Sequence, residues 1–323
     1  MMTIVFDRRY DIGLLGLERL HPFDSRKYGR AWRELTRCFG PQLSRHHVAV
    51  DRAVTDEELL LAHSAEYLAS LQKSSKVAAA LELPILSWLP AWLLHWAVLR
   101  PMRWAVRGTV LAARSALTSG LAINLGGGYH HSSRNQGEGF CLFSDVAVAV
   151  RQLRADGLIA SGQRIVHVDL DAHQGNGVCH QFATDRDVFL MDMYNADIYP
   201  RFDLTARRRI DCDLPLPSGC RGGEYLGILR RHLPGFLDSV SRSARIALGV
   251  VNAGTDVVQG DPLGAMALTG EDILERDLFT VDQFRQRGIP VVMVTSGGYT
   301  RDSFRWIAAT VRELLKQSQG RSV

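Results

Sequence analysis

Residues 164–176 read RIVHVDLDAHQGN. The stretch opens as an apolar, β-branched run and closes on Asp169, Asp171, His173 and Asn176. Continuous apolar runs, rather than alternating ones, mark strands buried on both faces of a parallel sheet. Four further runs have the same character: LAINL (121–125), DVFLMDM (187–193), RIALGVVNA (245–253) and IPVVMVT (289–295). Helix-like stretches fall around them at 143–158, 223–243, 270–287 and 301–317. Strands alternating with helices predict an α/β fold, with a mostly parallel central sheet and helices on both faces. No low-complexity linker or internal repeat divides the chain, so residues 1–323 are expected to form one domain.

The strand ends carry the chemistry. LAINL runs into Gly126, Gly127, Gly128, Tyr129, His130 and His131; RIALGVVNA leads to Asp256; IPVVMVT leads to Ser296, Gly297, Gly298 and Tyr299. Open α/β sheets bind ligands beyond the carboxyl ends of their strands, so this convergence predicts a site there. On extended backbone Asp171 and His173 face the same way. With Asp256 from another strand they would make a three-ligand metal site with an open position. Two carboxylates favour a harder ion than a histidine-rich set does, so Fe(II) and Co(II) are compatible beside zinc. A lone Asp-x-His also fits a loop carboxylate next to a capping histidine. The histidine pair suits proton transfer near neutrality. Asp169 and Asn176 are candidate partners that would fix each imidazole. Tyr299 is either a buried aromatic with a satisfied hydroxyl or a donor to a developing oxyanion.

Other signatures are missing. There is no GxGxxG after the first strand, and no P-loop, HExxH or GxSxG. A net charge of +4 over 323 residues, without a basic block interleaved with aromatics, argues against nucleic acid. The cysteines (Cys38, Cys141, Cys179, Cys212, Cys220) are odd in number and form no CxxC, as expected of a reduced, cytoplasmic protein. The first twenty residues carry charges where a secretion signal needs an apolar core. Residues 81–104, LELPILSWLPAWLLHWAVLRPMRW, hold four of the six tryptophans, but Pro84, Pro90 and Pro101 break any spanning helix. A loop followed by a helix with an apolar surface is expected, without a stable membrane span.

The ordered motifs LGGGYHH, GEGFCLFSD, VDLDAHQGNG, NAGTD with GDPLG, and TSGGY together resemble the histone deacetylase family. DAHQGN, MDMYN (191–195) and the early LHPFD (20–24) resemble its class IV, and the lean chain suggests a bacterial member. The likeness runs from about residue 3 to 317. It implies the three-layer arginase/deacetylase fold, with Asp171, His173 and Asp256 as zinc ligands. His131 would serve as general base and then acid, and His130 as electrostatic helper, partnered by Asn176 and Asp169 respectively. Tyr299 would polarise the scissile carbonyl. Gly128, Gly139, Phe140, Leu263 and Gly298 would line the substrate tunnel. A structural potassium is implied near Asp169, Asp171, His173 and Asp192.

The implied reaction is hydrolysis of an acylated ε-amine: an acyl-lysine in a protein or peptide, carrying acetyl or a long fatty acyl group. The alternatives are a small acylated amine such as an acetylpolyamine, or a non-catalytic acyl-lysine binder. A binuclear ureohydrolase would need acids at Gly175 and Val258. Leu263 stands where polyamine enzymes carry an acidic gatekeeper, which argues against polyamines. Glu82 is the only acid in the tryptophan-rich segment. That segment either guides a long acyl chain or a membrane-borne substrate, or packs internally or between subunits. The sequence leaves the oligomeric state open.

Overall fold

A computed structural model describes residues 2–13, 24, 26–242 and 244–320. LHPFD therefore lies outside the described residues, apart from Asp24. The strands are β1 (Thr3–Val5), β2 (His47–Val48), β3 (Leu121–Asn124), β4 (Arg164–Asp169), β5 (Val188–Asn195), β6 (Cys212–Leu216), β7 (Ile246–Asn252) and β8 (Val291–Val294). They form one eight-stranded sheet in the order β2-β1-β3-β8-β7-β4-β5-β6, with every pairing parallel.

All five strands expected from the apolar runs are present. The expected helices form as Asp145–Ala155, Gly222–Ser241, Gly270–Gln286 and Ser303–Gly320. The central strands are buried along their whole length, which is why their sequences lack alternation. Three strands escaped the sequence reading. β1 and β2 have three and two residues, and β6 reads CDLPL, whose Pro215 is tolerated because β6 lies at the sheet edge. The helices Lys27–Phe39 and Arg100–Ser119 were also not anticipated. The second has Pro101 in its first turn, where a missing N–H does no harm, and it ends at Gly120, in left-handed conformation.

Register brings one residue from each strand into a single row: Val48, Val5, Asn124, Val294, Asn252, Asp169, Asp192 and Asp213. Residues in such a row point to the same face. Asn124 bonds Thr109 Oγ1 and the Ala105 carbonyl, so the helix Arg100–Ser119 covers that face. Gly249, three residues before Asn252, faces the other way and leaves room for the ring of Phe284 on the helix Gly270–Gln286. Helices thus cover both faces, as expected.

Residues 81–104 form a 3-10 turn (Pro84–Trp88), a short helix (Ala91–Leu94) and a π turn (His95–Leu99) that runs into Arg100–Ser119. Trp104 is buried, so the internal-packing alternative holds for it alone; Trp88, Trp92 and Trp96 are exposed. Among the described residues, no helix is long and apolar enough to cross a membrane.

Arg276 is completely buried, and its Nη1 donates to the carbonyls of Leu170 (2.9 Å) and Gly254 (2.8 Å), just past β4 and β7. Its charge is balanced by Asp277. Replacing Arg276 with Ala takes the guanidinium from Asp277 and from two carbonyls, leaving the Thr310 hydroxyl on Asp277 and the Tyr225 hydroxyl on Leu170. It is expected to destabilise the fold by about 3–5 kcal/mol, measured by chemical denaturation. A change below about 1 kcal/mol would show that these strand ends hold themselves.

Candidate metal centre and active site

The strand order doubles back beside β3, and the loops leaving β3, β8, β7 and β4 meet above the polar row. This is the switch point at which α/β sheets bind ligands. The structure brings together there every residue assigned a catalytic or metal role from the sequence.

Asp171, His173 and Asp256 are fully or nearly fully buried, with ligand atoms all within 4.8 Å of one another. One oxygen of each carboxylate is held by fixed donors. Asp171 Oδ2 accepts from Ser296 Oγ (2.6 Å) and Gly297 N (2.9 Å), and Asp256 Oδ1 accepts from Ala172 N (2.9 Å). The inner oxygens, Asp171 Oδ1 and Asp256 Oδ2, turn toward His173 Nδ1 at 3.1 and 2.9 Å. Burial and the neighbouring Asp171 push Asp256 up to about 7. One imidazole proton cannot neutralise two buried carboxylates, whereas a divalent cation can. Ligand atoms this far apart suit metal–ligand bonds of roughly 2.0–2.2 Å. The donor set therefore fits a metal ion.

The histidine pair is tuned in opposite directions. Burial alone would depress His130, but the carboxylates of Asp169 and Asp171 outweigh it and hold the ring up at about 9. Its Nδ1 lies 2.9 Å from Asp169 Oδ2. Burial pushes His131 far below the usual histidine range, and the charges on His130 and His173 push it further. Its Nδ1 lies 2.7 Å from Asn176 Oδ1. Asn176 Nδ2 in turn donates to Glu138 Oε1 at 2.7 Å, which fixes the amide's orientation. The amide oxygen thus faces His131, so Nδ1 carries the ring proton and Nε2 is left able to accept one.

Tyr299 sits across the centre, its ring 6.0 Å from that of His173 and 5.9 Å from that of Phe140. Burial and the carboxylates of Asp256 and Asp171 keep its phenol protonated far above the usual range. Asp261 locks the loop behind it, accepting from Tyr299 N (2.8 Å), Leu263 N (3.0 Å) and Gly264 N (3.1 Å).

Two spaces that share the walls of His131, Gly139, Phe140 and Tyr299 flank the centre. The outer one, about 400 Å³, is walled by Glu82, Leu83, Ile198, Tyr199 and Leu263, with Gly139 and Phe140 at its neck. The inner one, about 30 Å³, lies among Tyr10, Ile12, Tyr28, Met102, Gly128 and Tyr129. Gly128, Gly139, Phe140 and Leu263 line these cavities. At Gly139 a Cβ would come within 2.3 Å of the His131 ring. Gly298 is in neither of these walls; it has φ +131° and Thr255 Oγ1 only 2.1 Å from where a Cβ would be. Gly297 takes its place in the inner wall. Trp88, Trp92 and Trp96 are in neither wall. The segment 81–104 reaches the mouth only through Glu82 and Leu83.

Several contributors went unread in the sequence. Asn252 Nδ2 donates to Asp169 Oδ1 (2.9 Å) and lies 3.2 Å from His130 Nδ1, and its place at the end of an apolar run was a usable signal. Lys27, fully buried, reaches the carbonyls of Ser296 and Gly298 from the N-terminal helix. No local pattern announces it, because its partners are some 270 residues away in sequence. Asp192, by contrast, was named in the sequence through the implied potassium; it stands beside Asp169 in the row, and its Oδ2 accepts from Gly175 N (2.9 Å), while its Oδ1 has no hydrogen-bond partner among the described residues.

The purified protein is expected to hold one equivalent of divalent metal by elemental analysis. Asp171→Asn should weaken its affinity by about 10- to 100-fold or more. Full occupancy in that variant would remove Asp171 from the ligand set.

The histone deacetylase domain model matches residues 21–315. Histone deacetylase 2 of Arabidopsis thaliana is 39% identical over 320 residues, an alignment covering 98% of this chain and 79% of the relative. Two solved structures share the fold. The HDA15 HD domain has a TM-score of 0.74 at 19% identity, covering 98% of this chain and 91% of that one. An HDAC homologue from Aquifex aeolicus has a TM-score of 0.74 at 22% identity, covering 97% and 83%. By its sequence and by the sheet that carries its site, this chain belongs to the histone deacetylase family.

Proposed function

We propose that the protein is a zinc-dependent amidohydrolase that removes acyl groups from the ε-amine of lysine in proteins or peptides. The observation that carries this reading is the opposite tuning of two adjacent histidines beside a buried O/N/O ligand set. A divalent ion held by Asp171, His173 and Asp256 supplies Lewis-acid polarisation of the amide carbonyl and acidifies water. Zinc suits three protein ligands with an open position; iron(II) and cobalt(II) are alternative occupants. His131, neutral at physiological pH, takes the proton of the attacking water at Nε2 and later gives it to the departing amine. His130, kept charged by Asp169, offsets the negative charge that builds up. The Tyr299 hydroxyl donates to the oxyanion. A potassium ion beside Asp169 and Asp192 is part of the proposal, supported by two adjacent buried carboxylates and the unpartnered Asp192 Oδ1. A cytoplasmic setting accords with five free cysteines.

The inner cavity, about 30 Å³, is far smaller than the outer one, about 400 Å³, which suits a short acyl group such as acetyl. A long acyl chain is many times larger and would have to displace Met102 or Ile12 from its walls. Acetyl-lysine is therefore the substrate we favour. A second reading, a small acylated amine with a cationic chain, draws support from the carboxylate of Glu82 at the mouth, although Leu263 adds no charge beside it.

Zinc-loaded protein, given lysine peptides carrying acetyl to myristoyl groups alongside acetylpolyamines, is expected to turn over acetyl-lysine best. Tyr299→Phe and His131→Ala should each lower kcat by about 100- to 10,000-fold. Full turnover in either variant would refute the mechanism, and a myristoyl optimum would refute the fit to the inner cavity.

Because His131 is depressed, kcat/KM should persist to well below pH 6.5 before protonation of the base removes it. Asn176→Asp adds a negative charge at Nδ1 and should move that acid limb upward by about one pH unit or more. An unmoved limb would mean that another group sets it.

A further inference from the structure

The tryptophans of residues 81–104 are not part of the catalytic funnel. Trp88, Trp92 and Trp96 are 86%, 71% and 56% exposed, and Ile85 beside them is 53% exposed. Trp92, Trp96 and Arg100 follow at four-residue spacing along continuous helical backbone, so they share one face. Exposed aromatic surface of this size is uncommon unless something binds it.

The charges around the patch identify the binder. Ser74 Oγ bonds the Leu89 carbonyl (2.7 Å), which brings exposed Lys73 and Lys76 alongside Trp88. At the other end, Trp96 and Trp104 line a groove with Arg9 and Arg100. Three acids lie nearby. Glu82 faces the catalytic funnel, Asp7 pairs with Arg9 at 3.2 Å, and Asp11 lines the groove but is mostly buried and accepts from Gly29 N at 3.2 Å. The patch is therefore aromatic at its centre, with exposed Lys73 and Lys76 at one end and exposed Arg100 at the other. Two copies meeting through it about a two-fold axis would each present this same surface, cations included, so charge disfavours a self-contact. A membrane surface rich in anionic lipid satisfies both parts. Tryptophan sits at the headgroup level, and lysine and arginine pair with the lipid charge.

We propose that the Ile85–Trp96 face docks the protein on an anionic phospholipid surface, lying in the interface rather than crossing it. The same segment begins with Glu82 and Leu83 at the mouth of the funnel, so docking would set that mouth beside the headgroup layer. The docking does not depend on which amide is cleaved.

The test uses the full chain with vesicles of phosphatidylcholine alone and with 30 mol% phosphatidylglycerol, read by co-sedimentation and by tryptophan quenching with brominated lipid. Binding to the anionic vesicles, quenched by the brominated chains and weakened by high salt, is expected. Trp88→Ser/Trp92→Ser/Trp96→Ser should reduce partitioning by about ten-fold or more, while turnover of a soluble peptide stays unchanged. Lys73→Glu/Lys76→Glu/Arg100→Glu should remove the preference for anionic lipid and leave the aromatic contribution. Equal sedimentation of wild type and tryptophan variant, or no binding to either vesicle, would overturn the proposal. So would a dimer in light scattering that the tryptophan variant abolishes in the absence of any lipid binding, which would assign the face to a second copy.

Discussion

Everything at this site answers to one electrostatic constraint, the burial of Asp169, Asp171, Asp192 and Asp256 together at the carboxyl edge of a sheet. Isolated buried carboxylates are prohibitively costly, so each must be met by donors or cations. The chain meets them with backbone N–H groups from Ala172, Gly175 and Gly297, with the Ser296 hydroxyl, with the His130 ring, and with the three-ligand centre itself. The glycines of the TSGGY loop follow from the same need. At Gly297 a Cβ would come within 2.3 Å of Asp256 Oδ2 and displace the carboxylate.

The same charge pattern separates two chemically identical side chains. His130 and His131 are neighbours in sequence, with ring centroids 4.1 Å apart. One rests on a carboxylate with a second, Asp171, close by, and the other on an amide beside two charged rings, and that difference in surroundings decides which keeps its proton. Glu138 contributes one step removed, holding the Asn176 amide so that only its oxygen can face the ring.

The core strands and the reactive residues were legible in the sequence because each is local: a β-branched run ending in glycines and a polar side chain. The pairing of Asp169 with His130 and of Asn176 with His131 also followed from motif order, once the resemblance was in hand. What could not be read depends on distant chain. Lys27 is an unremarkable lysine until the fold carries it to the Ser296 carbonyl, and β1 is a three-residue strand defined only by its neighbours. A glycine required by backbone geometry, such as Gly298 with φ +131°, and one in a cavity wall look alike in sequence. Nothing local in the tryptophan segment shows that its side chains turn away from the mouth.

β7 and β8 are the last strands in the chain, yet they occupy the centre of the sheet, joining β4 to β3. During synthesis from the N-terminus, β1–β3 and β4–β6 can each form as a separate parallel patch, with the edges of β3 and β4 open. Such edges are prone to pairing with other chains until their proper neighbours arrive. Asp256 and Tyr299 come with those last strands, so a nascent chain has neither a complete sheet nor a complete candidate site until both have been made. Activity is therefore a direct report on complete folding, and a chain stalled before β8 is a candidate for chaperone capture rather than a partly active enzyme.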